Sequence, residues 1–164
     1  MKVAEKAWPM QNKDFSVTRI DPKLAELIAK CDQKTLAIWS ADCADRVLRY
    51  FTKNFPEDNR PTAAISAARA WARGEYKTIN SRKAAFASHT AARDAKPIPL
   101  ARSAARSAGH AAATAHVSSH AIYAAMYALE AINETGAKDA VVTEADWQYN
   151  HLKHLTSINL ENVR

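Results

Sequence analysis

The stretch Ser107-Ala-Gly-His-Ala-Ala-Ala-Thr-Ala-His-Val-Ser-Ser-His-Ala-Ile-Tyr-Ala-Ala-Met-Tyr-Ala-Leu129 runs for 23 residues without Asp, Glu, Lys or Arg. Its length would allow a membrane span. Its chemistry argues otherwise, because His110, Thr114, His116, Ser118, Ser119 and His120 are polar and alanine gains little from lipid. A helix uncharged all round is then a buried one, enclosed by its neighbours. The helical pattern continues on both sides, from about Leu100 to Asn133, with Gly136 behind it as the stop. The spacing therefore predicts one long, buried, alanine-rich central helix of roughly nine turns.

Working outward, the rest of the chain supplies the helices that would surround it. Alanine, the best helix former, makes up roughly a fifth of the residues, and only three glycines occur. Asp21-Pro22 reads as an N-cap followed by proline at the first helical position, opening a short helix with Leu24, Leu27, Ile28 and Cys31 on one face. A second helix, Gln33 to about Asn54, repeats Leu36, Trp39, Cys43, Val47, Tyr50 and Phe51 at three- and four-residue steps. Pro61 starts a third that Gly74 ends. A fourth fits Ile79 to Ala95, with Phe86 its only large apolar residue, and Pro97 and Pro99 stop it. Thr143-Glu-Ala-Asp146 resembles a capping box and would open a last helix through about Thr156. The expectation is an all-α, single-domain helical bundle of about six helices over residues 21–164. Residues 1–20, with Trp8, Phe15, Val17 and Ile20, show no sustained period and are expected to be a tail packed on that body.

Charged residues between Met1 and Ala7 stand where a secretory signal would need an apolar run, so a cytoplasmic location is expected, with Cys31 and Cys43 reduced and unpaired. The net charge of +6 suits an anionic partner, but lysine and arginine are spread along the chain, which argues against a nucleic-acid surface. Alanine-lined faces allow close helix approach, and a homodimer is expected on that ground.

No glycine-rich phosphate loop, Gly-x-Ser-x-Gly elbow, Cys-x-x-Cys or paired-carboxylate signature is present, so no enzyme and no cofactor are expected. Trp39, Cys43, Arg46 and Tyr50 share one side of the second helix, which places Arg46 in an apolar line. It must snorkel outward or meet a carboxylate, and Asp42, four residues earlier, is in reach. Cys43 in the same line reads as an inert thiol. On the central helix His116, His120, Tyr123 and Tyr127 form a second stripe, with His110 and Thr114 about 120° away. His at i and i+4 is a metal-ligand spacing that His89, His151 or His154 could complete, but the neighbouring glutamate of a zinc protease helix is missing. A hydrogen-bonded histidine pair without metal is the expected outcome. Arg60, Arg69, Arg93 and Arg106 could tie helix ends together or converge with His110, His116 and His120 into an anion pocket. The candidate binding residues are thus Asp42, Arg46, Arg60, Arg69, Arg93, His110, His116 and His120.

Five strings carry a family resemblance: Trp39-Ser-Ala-Asp-Cys-Ala44 with Arg46, Asn59-Arg-Pro61, Ala68-Arg-Ala-Trp-Ala-Arg-Gly74, Ala91-Ala-Arg93 and Ala108-Gly-His-Ala-Ala-Ala-Thr-Ala-His-Val117. Together, over roughly Lys34 to Leu129, the chain resembles the helical immunity-protein family of bacterial toxin systems. The resemblance implies an all-helical intracellular protein that binds and neutralises a cognate toxin without catalysis, and it supplies no catalytic residue. Nuclease toxins tend to be basic, so a chain of charge +6 implies an acidic toxin or a local acidic patch such as Glu57-Asp58. The alternative is a metal- or small-molecule-binding helical bundle that uses His116 and His120 as a His-x-x-x-His pair.

Overall fold

Helix starts and stops follow the chemistry of their terminal residues in the structure, a computed structural model that describes residues 21–161. The segment 1–20, expected to pack as a tail, lies outside the described residues. Helix α1 (Pro22–Ala29) is capped by Asp21, whose carboxylate accepts from Lys23 N at 2.8 Å. Helix α2 (Gln33–Thr52) is capped by Asp32, which accepts from Thr35 N at 2.7 Å. Helix α3 (Arg60–Ala72) has Pro61 in its first turn. Its end is a Schellman turn: Gly74 sits at φ 78°, its N–H reaches Trp71 O, and Glu75 N–H reaches Ala70 O, both at 2.9 Å. Helices α4 (Thr78–Asp94), α5 (Pro99–Ala113), α6 (His120–Asn133) and α7 (Lys138–Glu161) complete an all-α bundle, seven helices among the described residues.

Two expected boundaries are corrected. The continuous helix over Leu100–Asn133 is two helices, α5 and α6, that fold back against each other around the turn at 114–119. Neither glycine nor proline marks the break. Thr114 turns its hydroxyl onto His110 O at 3.1 Å, and Ser118 and Ser119 follow, residue types whose side chains compete with the helix ladder. Gln33 of α2 then donates its amide to the carbonyls of Thr114 at 2.8 Å and Ala115 at 3.2 Å, occupying the orphan acceptors of the α5 terminus. The capping box at Thr143–Asp146 does not form either: α7 starts at Lys138, and Thr143, already inside it, bonds back to Asp139 O at 3.1 Å. No helix among the described residues is long and apolar enough to cross a membrane.

Helix α5 lies against α2, α3, α4 and α6, and buries Ala101, Ala104, Ala105, Ala108, Ala111 and Ala112 among them. Side chains this small let helix backbones approach closely. Serine hydroxyls exploit the closeness by donating directly to the next helix: Ser81 to Ala112 O at 2.8 Å, Ser88 to Ala105 O at 2.8 Å and Ser107 to Ala124 O at 2.7 Å. The bulky part of the core is where Trp39, Val47, Phe51 and Leu152 are buried together with alanines of α4, α5 and α6. Trp39 Nε1 donates to Gln148 O at 2.9 Å and Gln148 Nε2 to Ala125 O at 3.1 Å, linking α2, α7 and α6.

Candidate functional site

The sequence-derived candidates fall into separate places. Asp42, Arg46 and Arg69 come together on a surface formed by α2, α3 and α7, but not in the expected pairs. Arg46 passes over Asp42 and sets Nε on Glu144, 2.8 and 2.9 Å from its two carboxylate oxygens, with the guanidinium 3.9 Å above the Trp147 ring. Glu144 is the reason: its side chain is only 6% exposed and needs a cation, whereas Arg46, 41% exposed, snorkels out along the indole to supply one. Asp42 binds Arg69 at 2.7 Å and His151 Nε2 at 2.8 Å, Arg69 also reaches Asp45 at 3.0 Å, and His151 stacks on Trp147. Each charge of this network is matched by another member of it, so it binds three helices to one another. Arg60 does the same for the turn before α3 and the end of α4, holding Asp58 at 2.6 Å and Asp94 at 2.8 Å. Asp58 is thereby ion-paired, and the acidic patch expected at Glu57-Asp58 is partly offset.

His110 and His120 meet between α5 and α6, again unlike the expectation from a continuous helix. Because α6 folds back onto α5, His110 Nδ1 lies 2.9 Å from His120 Nδ1, and the His110 ring packs on Tyr127 (centroids 5.4 Å, 12°) and Tyr123 (5.4 Å). His116 is left in the exposed turn, so the His116/His120 stripe does not exist. His89 of α4 completes the group, its ring 4.8 Å from that of His110, and it rests on the α5 backbone at Gly109, where a Cβ would lie 2.7 Å from an imidazole carbon. Arg106 Nη1 is 3.2 Å from His89 Nδ1. A guanidinium can only donate, so His89 accepts at Nδ1 and carries its proton on Nε2. Burial pushes His89 down to about 4, with Arg106 adding to the effect, and His110 down to about 2, with His89 and His120 adding. His120 is lowered by burial and by His116. Burial thus disfavours the protonated form of all three. Among the described residues no group of three or more His, Cys, Asp or Glu is arranged to hold a metal ion, and His116 stands outside the helix that carries His120.

The outer face of α4 adjoins this cluster. Phe86, the large apolar residue that the sequence offers for this helix, is 65% exposed, and α4 turns Ser81, Ala85, Ser88 and Ala92 inward. Ile79, Arg82, Lys83, His89 and Arg93 all lie within about 60° of Phe86 on the helical wheel. Arg93 donates to Thr90 at 2.7 Å, and neither Arg82, Lys83 nor Arg93 makes an ion pair among the described residues. The contrast with the self-paired network on α2, α3 and α7 is plain: here cations and an aromatic ring face solvent together.

Cys43 is buried and unpaired, its thiol pushed well up chiefly by burial, and Cys31 is a free, half-buried thiol that meets Leu27 O at 3.2 Å. The residues that sequence reasoning missed, Glu144, Trp147 and His89 as a contact of Gly109, became neighbours only through pairings between distant helices. A glycine in the middle of an otherwise alanine helix was the one local sign that something lies against the backbone there.

A family model described as Imm-5 like putative immunity protein matches residues 26–155. No curated protein and no solved structure matches the chain.

Proposed function

The chain belongs to the Imm-5 like family, and from that premise we propose that it binds and neutralises a cognate toxin without catalysis, using the outer face of α4. The observation that carries the choice of face is the exposed Phe86, centred among Arg82, Lys83 and Arg93, none of which makes an ion pair among the described residues. Aromatic side chains, phenylalanine included, and arginine are enriched at the cores of protein interfaces. Unpaired cations add attraction for an acidic partner, in keeping with the net charge of +6. The network of Asp42, Arg46 and Arg69 supports the fold in this reading.

The test begins with native mass spectrometry of protein purified from its own host, to find a second polypeptide bound to it. The isolated partner is then titrated with the wild type, Phe86→Ala and Lys83→Glu, both surface changes that leave the helical circular dichroism intact. Affinity at least tenfold weaker in each variant is the expected result. Unchanged affinity would move the contact to another face, and a partner whose toxicity is unaffected by the complex would remove the neutralising role.

A further inference from the structure

A groove of about 440 Å³ lies between α1, α6 and α7. Its walls are apolar: Leu24 of α1, Ile122, Met126 and Leu129 of α6, and Val141 and Val142 of α7. Val142 is 63% exposed, and α1 buries none of its residues, although Leu24, Leu27 and Ile28 pack against the core. Apolar side chains left half-covered in this way gain from further burial. Asp21 and Asp146 also line the groove, and Asp146 makes no ion pair among the described residues. The described chain begins at Asp21, so residues 1–20 join the molecule at the groove's own lining.

We propose that this groove is the docking site of the chain's own N-terminal segment, with Phe15, Val17 and Ile20 seated between α6 and α7. The three apolar residues directly precede Asp21 in sequence, and the extended stretch from Phe15 to Asp21 spans about 20 Å. The apolar wall from Ile122 to Leu129 is about 10 Å long, so the stretch covers it with length to spare. The segment carries Lys2, Lys6, Lys13 and Arg19 against Glu5 and Asp14, an excess of cations that suits a groove bordered by Asp146. Its covalent tether holds it at the groove at an effective concentration on the order of millimolar, an advantage that neither a second copy nor a free ligand has. None of the described lining residues belongs to α4, so the docked segment leaves the proposed partner face open.

The experiment records methyl NOEs in the full chain. NOEs from the Phe15 ring to the methyl groups of Ile122, Met126 and Val142 are expected, unchanged on dilution. Trypsin cleavage after Arg19 supplies a second reading. It is expected to be about tenfold faster in Phe15→Ser, about threefold faster in Val142→Ser, and in the double variant no faster than in Phe15→Ser alone, because both changes remove one contact. Val142 is exposed, so its change leaves the helical circular dichroism intact. A mixture of labelled and unlabelled chains separates the possible occupants. NOEs that arise only between chains would assign the groove to a second copy, and NOEs from the groove methyls to a copurified apolar molecule would assign it to a ligand; either result overturns the proposal. Phe15 NOEs to a different part of the bundle, or a cleavage rate indifferent to Val142→Ser, would overturn it as well.

Discussion

At Gly109 a single missing methyl group decides where a histidine sits. Replacing Gly by Ala inside a helix normally stabilises by about 1 kcal/mol, but here the new Cβ would overlap the His89 ring. Overpacking of that kind costs about 1–3 kcal/mol, so Gly109→Ala is expected to lose stability in urea melts. In a His89→Ala background the same change is expected to gain it, and the double-mutant cycle reads the coupling directly. The histidines also set a pH response. The pKa values of His89 and His110 are lower in the folded chain than the value of about 6.5 for a free imidazole, so between those values the unfolded chain binds more protons. Their contribution to stability is complete above the unfolded value and is lost as pH falls, through about 4 for His89 and on to about 2 for His110. The urea midpoint is expected to drop from pH 7 to pH 5, and less steeply in His89→Gln. Glu130 has the opposite sign: it is buried, Oε2 has no hydrogen-bond partner among the described residues, and burial raises its pKa. Glu130→Gln is expected to raise the melting temperature at pH 8 and to change it little at pH 4.5. The sequence showed that Arg46 needed an acid and that His110 and His120 were polar in an apolar helix. It could not show the partners, because Asp42 and Glu144 compete for Arg46 on geometry that only the placement of α7 decides.

Elements were legible wherever their ends carry a local chemical mark. Asp21-Pro22, Pro61 and Gly74 all act as read, since capping and positive φ depend on neighbouring residues alone. The division between α5 and α6 carries no such mark. Its stability rests on Gln33, 81 residues from Thr114, filling two carbonyls. Gln33→Ala is expected to cost about 1 kcal/mol and to speed hydrogen exchange selectively at the end of α5. The exposure of Phe86 has a related reason: in a helix whose inner face is already matched to alanine and serine, no space remains for a ring, so the largest side chain is the one turned out. The same tightness predicts that Ala108→Leu, at a fully buried position on α5, destabilises by about 3 kcal/mol. Ala63→Leu, exposed on α3, is expected to stay within about 0.5 kcal/mol. Chemical denaturation of the two variants makes the comparison.

For the whole molecule, charge is distributed unevenly between its sides: ion pairs close on themselves across α2, α3 and α7, while α4 presents cations outward. Association with an acidic partner through α4 is therefore expected to slow as salt rises from 50 to 500 mM, with the dissociation rate much less affected, as surface plasmon resonance would show. A bundle joined by alanine contacts faces a mechanical difficulty of its own. Smooth helix surfaces offer little resistance to axial slip, since moving one helix past another exchanges methyl groups for methyl groups. Ser81, Ser88 and Ser107 act as detents against it, each hydroxyl seated on one particular carbonyl of the adjoining helix. With all three changed to alanine, the bundle would retain its helices and its bulk hydrophobicity yet sample several sliding positions. Helical circular dichroism would survive while the dispersion of methyl resonances collapsed.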